Sequence, residues 1–261
     1  MWDTLIISPS INLMLWIYGI VGNFGVAIII FTTIVKMVLF PLTAKQIKSA
    51  QAMQNLQKNE RFIKIQNKFK GDKEKLAQEQ MKLYKELKIN PLSSCLPTLL
   101  QFPIIIGLYQ SLIQSIASAP LDLLNLTTHL YPGLIKVSEL IPMNTNFLWM
   151  NLGQPERLII PGLNFGIPVL TILVVITTFV SSKVITPPTT PGVEDQTAMM
   201  SNMMNLYMPV LMGWMAYSLS SGLALYFVIT NLIQILQYAI LGKIYWDNII
   251  PWKKKIKSIK I

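Results

Sequence analysis

Charged residues are absent from four long apolar stretches of the chain. These windows lie between Asp3 and Lys36, between Lys88 and Asp122, between Arg157 and Lys183, and between Asp195 and Lys243. A helix that crosses a bilayer needs about 20 apolar residues. Each of the first three windows holds one such helix, and the last is long enough for two helices joined by a turn near residues 218–222. The pattern therefore predicts an all-α membrane protein with five transmembrane helices.

The charge boundaries divide the chain into successive segments. We predict an outer interfacial segment at 1–19, spans at 20–44, 91–118, 162–183, 201–219 and 220–243, a cytoplasmic helical hairpin at 45–90, an extracytoplasmic loop at 119–161, a cytoplasmic linker at 184–200 and a basic cytoplasmic tail at 244–261. Only 13% of the 261 residues are charged and 52% are hydrophobic, which is atypical of a soluble domain. A soluble all-helical core would also need helices with a polar face, which these stretches mostly lack.

Positive charge is concentrated in two segments. Residues 45–90 carry 12 Lys and Arg against 5 Asp and Glu, and residues 243–261 carry 6 against 1. The positive-inside rule places both segments in the cytoplasm, and five spans then place the N-terminus outside. The basic face is explained either by topology and attraction to anionic lipid headgroups or by an additional contact of the tail with ribosomal RNA.

Residues 45–90 have the composition of a charged helical hairpin, rich in residues that favour helices. Gly71 and Asp72 interrupt the pattern, and we expect Gly71 to end one helix and Asp72 to cap the next. Apolar residues recur on one face of each arm, at Met53, Leu56, Phe62 and Ile63 and at Leu76, Leu83, Tyr84 and Leu87. The segment is either a spacer or a docking element, and the paired stripes favour a docking element.

Lys36 places a charge inside the first predicted span. A central lysine costs about 2.5–3.5 kcal/mol on an insertion scale, and each Leu, Ile, Val or Phe returns about 0.3–0.6 kcal/mol, so the span inserts despite it. Snorkelling is the alternative, but Lys36 precedes Lys45 by about 13 Å along a helix. No Asp or Glu lies in the five predicted spans. A cation at this depth indicates a functional site that faces water.

Three of the predicted spans carry polar residues at helical spacing. The first span has Thr32 one turn before Lys36, the second has Ser94, Thr98 and Gln101, and the fifth has Asn231, Gln234 and Tyr238. Hydrogen bonds between helices explain any one of these faces. Three such faces together with one cation predict a polar, positively charged cavity inside the membrane, open to water from the cytoplasm.

These polar residues lie in segments that resemble the YidC-type membrane protein insertases, a family with mitochondrial and chloroplast relatives. The resemblance runs over about residues 20–245, with a charged hairpin between the first two of its four segments. The segments are "VKMVLFPLTAKQIKSAQAMQ" (35–54), "INPLSSCLPTLLQFPIIIGLYQSL" (89–112), "FLWMNLGQPE" (147–156) and "YMPVLMGWMAYSLSSGLALYFVITNLIQILQ" (207–237).

The resemblance implies a five-helix core around a hydrophilic groove that is closed toward the outside and open to the cytoplasm and to lipid. With the polar faces, it predicts a substrate groove lined by Lys36, Thr32, Thr98, Gln101, Asn231, Gln234 and Tyr226. The family usually has arginine where Lys36 stands, so this chain keeps the charge and loses the bidentate fork. It also has "SSG" at 220–222 where "PSG" is usual, and Phe227 where tyrosine is common.

The resemblance further implies an insertase, not an enzyme, in the bacterial cytoplasmic membrane. Expected partners are nascent membrane proteins, the ribosome through the basic tail and hairpin, anionic lipids and, where it does not act alone, the Sec translocon; we expect no cofactor, metal or small-molecule substrate. The alternative is a small-anion channel or secondary transporter, which would need titratable groups for coupling. A membrane hydrolase would need His, Asp or Glu on the span faces, and the predicted spans contain none.

Overall fold

The structure is a computed structural model. It describes residues 3–57, 59–69, 71–87, 103–107, 109–110, 113, 126–131, 133, 143–158, 166–185 and 196–245. Most of the predicted span at 91–118, including Thr98 and Gln101, lies outside the described residues. The same holds for linker residues 186–195 and tail residues 246–261.

The described elements are almost entirely helical, which confirms the predicted all-α class. After a π-helical turn at Asp3–Ile7, the helices are α1 (Ser8–Val21), α2 (Phe24–Val38), α3 (Phe40–Gln57), α4 (Glu60–Lys68), α5 (Lys73–Glu86), α6 (Val169–Ile185), α7 (Gln196–Ser218) and α8 (Ser221–Ile240). Two short antiparallel strands, β1 (Asn146–Phe147) and β2 (Met150–Asn151), lie between α5 and α6.

A tight turn separates α1 from α2. Gly22 ends α1 in the left-handed conformation at φ 70°, and its N–H donates to the carbonyl of Tyr18, which is the usual role of a C-terminal glycine. Asn23 then caps α2 by accepting hydrogen bonds from the N–H groups of Gly25 and Val26. Helix α2 therefore begins at Phe24, and α1 packs against it.

A bend at Leu39 interrupts the first predicted span. Helix α2 and the first part of α3 meet at an angle of 60°. Pro41 lies just beyond the break and has no N–H to donate, so a regular helix cannot continue through this point. The sequence predicted a continuous span at 20–44, whereas the structure has two helical pieces with different directions.

The main core lies where α2 and α8 meet α1, α6 and the 143–158 segment. Buried apolar side chains from all of these elements form one cluster, which includes Met14, Phe24, Ile28, Phe31, Leu152, Val174, Leu223 and Tyr226. Helix α6 packs against both α7 and α8, and α8 packs against α2. Gly213 allows the close approach of α7 to α6, because a Cβ there would overlap Val175.

Helix length limits what the structure says about membrane crossing. Among the described helices, α8 is the only one that is by itself long and apolar enough to span a bilayer. Helix α2 and the segment Phe40–Ser49 meet the same criterion as a bent pair, while α1 and α6 are shorter apolar helices. The number of spans stays a prediction.

The charged segment forms a helical hairpin with its own small core. Asp72 caps α5 by accepting a hydrogen bond from the N–H of Lys75, as predicted, and this bond lowers the pKa of Asp72. Leu56, Phe62 and Leu83 are buried together. The hairpin is thus held by contacts separate from those of the main core.

Two details of the hairpin differ from the predicted apolar stripes. The first arm is not one helix, because Asn59 caps a new helix, α4, and accepts a hydrogen bond from the N–H of Arg61. Leu87 was predicted on the apolar stripe of the second arm, but it is 43% exposed. It lies just past the end of α5, where the helical face no longer determines which side chains are covered.

The ends of α6 and α8 lie close together. After α8 the chain turns at Gly242, which has φ 63°, and the N–H of Tyr245 donates to the carbonyl of Val184 at 3.0 Å. The residues that follow α8 therefore begin beside the last turn of α6.

Gly25→Ala is expected to destabilise the fold. A Cβ at position 25 would overlap the ring of Phe147, which lies directly over this glycine. Overpacking of this kind costs about 1–3 kcal/mol, so the apparent Tm in detergent should fall by several degrees. Gly71→Ala is the matched control, because nothing lies within 4 Å of a Cβ at that position. An equal Tm for the two variants would contradict the packing at Gly25.

Candidate functional site

The 143–158 segment closes one end of the helical core. The N–H of Phe24 at the start of α2 donates to the carbonyl of Asn144, and the N–H groups of Ser221 and Gly222 at the start of α8 donate to the carbonyls of Gln154 and Leu152. The first N–H groups of a helix have no partner within the helix. The 143–158 segment therefore provides hydrogen-bond acceptors for the N-terminal N–H groups of two helices and fixes where those helices begin.

Glu156 serves the same purpose for α6. Its Oε2 accepts a hydrogen bond of 2.6 Å from the N–H of Leu170, and its Oε1 accepts one of 2.6 Å from the indole N–H of Trp149. The side chain is buried, and a carboxylate at a helix N-terminus is favoured by the helix dipole. The N-termini of α2, α6 and α8 thus lie around a single well-bonded segment.

Polar side chains connect α6 and α8 farther along the two helices. The side-chain amide of Asn231 donates to the hydroxyl of Thr177 at 3.1 Å and to the hydroxyl of Thr178 at 2.9 Å. Cross-helix hydrogen bonds of this kind help to hold apolar helices together. Asn231 therefore joins the predicted third and fifth spans.

Lys36 lies in the last turn of α2, two residues before the helix ends at Val38. The carbonyl end of a helix carries a partial negative charge that favours a nearby cation. Its side chain is half-buried. The bend at Leu39 therefore gives this cation a favourable position within an otherwise apolar helix.

The structure separates the other predicted groove residues into buried and partly accessible groups. Thr32 is fully buried, and its hydroxyl donates to the carbonyl of Ile28 at 2.7 Å. Tyr226 is buried beside Phe227, with ring centroids 5.9 Å apart. Gln234 is half-buried on α8.

Polar residues of α8 and of the two helices beside it form a region that we call the polar seam. It comprises Asn231 with its partners Thr177 and Thr178 on α6, Gln237 with the backbone carbonyl of Lys36 on α2, and the neighbouring polar residues Thr230 and Gln234 of α8. Of the sequence-predicted groove residues, Asn231 and Gln234 are on α8, and Lys36 takes part through its backbone carbonyl.

Sequence reasoning missed several members of the polar seam. The side-chain amide of Gln237 donates to the backbone carbonyl of Lys36 at 3.1 Å, and the hydroxyl of Thr230 is buried with no hydrogen-bond partner among the described residues. The available signal was their spacing, because Tyr226, Thr230 and Gln237 recur at intervals of one and two helical turns. Thr177 and Thr178 gave no signal, since two threonines in an apolar helix usually bond to their own backbone.

The polar seam offers amide donors and hydroxyl groups within an apolar helical core. It has no arrangement of a nucleophile, base and oxyanion donor of the kind that bond-breaking chemistry needs. Among the described residues, no group of three His, Cys, Asp or Glu side chains is placed to hold a metal ion. The seam therefore provides hydrogen-bonding groups within an otherwise apolar core.

Comparisons with known proteins agree on one family. The family model of the 60Kd inner membrane protein matches residues 16–248. A membrane protein insertase YidC of Fusobacterium nucleatum is 36% identical over 225 residues, covering 85% of this chain and 88% of that protein. A membrane protein insertase YidC of Syntrophobacter fumaroxidans is 34% identical over 252 residues, covering 95% of this chain but only 38% of that protein.

A solved structure shares the fold. The crystal structure of an active YidC insertase with its first transmembrane domain resolved matches with a TM-score of 0.54 and 24% sequence identity. The match covers 87% of this chain and 44% of that chain. This chain therefore spans less than half the length of that insertase.

Asn231→Leu is expected to lower the stability of the helical core. Each cross-helix hydrogen bond between apolar helices contributes about 0.6 kcal/mol on average, so the loss of two bonds removes about 1 kcal/mol. Thermal unfolding in detergent measures the change. The variants Thr177→Val and Thr178→Val should destabilise the parent chain but have little further effect in the Asn231→Leu background. Full additivity of these changes would show that the three side chains do not interact.

Proposed function

The chain belongs to the 60Kd inner membrane protein family of YidC insertases, and on this premise we propose that it inserts nascent single-span or few-span proteins into the bacterial cytoplasmic membrane. The observation that carries the proposal is the position of Lys36 in the last turn of the apolar helix α2, where its backbone carbonyl accepts a hydrogen bond from Gln237 of α8. A positive charge within a polar seam of apolar helices is suited to receive the polar end of a substrate that the lipid rejects.

The proposed architecture is a groove within five spans, formed by residues 20–44, 91–118, 162–183, 201–219 and 220–243. Lys36, Thr32, Asn231, Gln234 and Tyr226 line it, together with Thr98 and Gln101 from the second span. The 143–158 segment closes its outer end, which is consistent with the hydrogen bonds that this segment makes to three helix N-termini. The cytoplasmic end is open.

The proposed orientation follows the charges. The hairpin at 45–90 and the tail at 244–261 face the cytoplasm, and the N-terminus faces outward. Both basic segments contact the ribosome and anionic lipids, and the chain acts alone or beside the Sec translocon. The substrate is the nascent membrane protein itself.

The mechanism rests on two physical terms. The polar, often acidic, N-terminal segment of a substrate enters the groove and is attracted by Lys36, because a charge pair about 4 Å apart in a medium of effective dielectric near 20 interacts with about 4 kcal/mol. The apolar segment of the substrate then moves into lipid beside the third and fifth spans. Its burial contributes about 25 cal/mol per Å² of apolar surface and drives release from the groove.

Lys36→Glu is expected to reduce insertion of substrates with acidic N-terminal tails by at least about tenfold, since a charge reversal changes the sign of an interaction larger than 1.4 kcal/mol. Lys36→Arg should retain insertion because it preserves the charge. Protease protection of a small single-span substrate in proteoliposomes measures the yield. Normal insertion of acidic-tailed substrates by Lys36→Glu would refute the electrostatic role.

Replacing residues 58–85 with a short Gly-Ser linker is expected to impair insertion without unfolding the spans. The hairpin core of Leu56, Phe62 and Leu83 is separate from the main core, so thermal unfolding of the membrane part should change little. Co-translational insertion should fall more than insertion of a released substrate. Full activity of the shortened chain would reduce the hairpin to a spacer.

A further inference from the structure

Gln237 makes a contact that the proposed groove does not explain. Its side chain is 5% exposed, and its amide nitrogen donates to the backbone carbonyl of Lys36 at 3.1 Å, joining residues 201 positions apart. A backbone carbonyl is only an acceptor, so the amide group must present its nitrogen here. The bond therefore depends on the backbone of Lys36 and not on its side chain.

The accepting carbonyl lies at the bend of the first predicted span. Lys36 lies in the last turn of α2, two residues before the helix ends at Val38. The N–H of Leu39 donates to Val35 and Met37, and α3 then departs at 60°. Pro41 explains why the helix breaks near this point, but a proline permits a range of bend angles and does not select one. The hydrogen bond from Gln237 attaches the last turn of α2, just before the bend, to α8.

Helix α8 is itself held firmly, so it can serve as the fixed reference. Its N-terminus is bonded to the 143–158 segment through Ser221 and Gly222, and Asn231 bonds it to α6. Because Gln237 is on this helix and bonds to the last turn of α2, it restrains the backbone at Lys36 relative to α8. Removing the bond leaves the last turn of α2 and the direction of α3 less restrained.

We propose that Gln237 is a positioning residue, which holds the carbonyl of Lys36 against α8 and thereby sets the bend at Leu39 and the depth of the Lys36 ammonium in the groove. The proposal rests on the proposed function for its effect on insertion, but its effect on the bend is independent of function. It predicts that Gln237 matters most for substrates that depend on the charge of Lys36.

Three variants of Gln237 test the role of its N–H donor. Gln237→Met keeps the length of the side chain and removes the N–H. Gln237→Asn keeps the amide and shortens the side chain by one methylene, so it remains polar and provides a folded variant if the methionine variant is unstable. Gln237→His keeps an N–H donor at a similar distance from the backbone and should behave like the parent chain. Leu236→Met is the control, because Leu236 is 58% exposed on the neighbouring position.

The first measurement is the bend itself. Spin labels at Lys45→Cys and Lys243→Cys, in a Cys95→Ser background, report the distance from α3 to the end of α8; both positions are exposed. Electron–electron resonance in liposomes should give one narrow distance distribution for the parent chain, Leu236→Met and Gln237→His. The distribution should broaden or shift in Gln237→Met and Gln237→Asn. An unchanged distribution in both of these variants would overturn the proposal.

The second measurement is substrate selectivity. Insertion of an acidic-tailed substrate should fall about threefold to tenfold in Gln237→Met, while insertion of the same substrate with a neutral tail should change by less than twofold. Equal losses for both substrates would indicate general damage to the core and would overturn the positioning role. If Lys36→Glu inserts acidic-tailed substrates normally, the proposed function fails, and the distance measurement still decides whether Gln237 sets the bend.

Discussion

The need to pair backbone polar groups at the ends of apolar helices determines the arrangement of this protein. The first N–H groups of a helix have no partner within the helix, and those of α2, α6 and α8 find partners elsewhere in the chain. Asn144, Leu152 and Glu156 supply those partners from one short segment. Because the acceptors for all three helices lie in the same short segment, the first residues of these helices are fixed relative to one another. The polar seam between them inherits its geometry from that segment.

Charge is distributed unequally along the helical core. The buried carboxylate of Glu156 lies at the N-terminus of α6, and Lys36 lies near the C-terminus of α2. Each charge is therefore at the helix end whose dipole favours it. Between them the chain uses neutral donors, such as Asn231, which cost less to bury than ions. This arrangement places polar groups inside the core at a lower desolvation cost than buried ions would have.

Local features of the fold could be predicted from the sequence, whereas contacts between distant segments could not. The cap at Asp72 follows from residues within one turn, and Lys36 is conspicuous because its neighbours are apolar. The bend at Leu39 was missed although Pro41 was visible, because hydropathy alone treats 20–44 as one span. Gln237 was missed because its partner is a backbone carbonyl. Every residue has such a group, so the sequence does not indicate which one is bound.

The bond between Tyr245 and Val184 has a consequence for how the molecule meets its surroundings. Two stretches of chain, one leading toward the fourth predicted span and one toward the terminus, depart from the same corner of the helical bundle. Under the proposed function, a partner that binds the chain beyond Tyr245 is therefore held close to the end of α6, which carries the threonines bonded to Asn231.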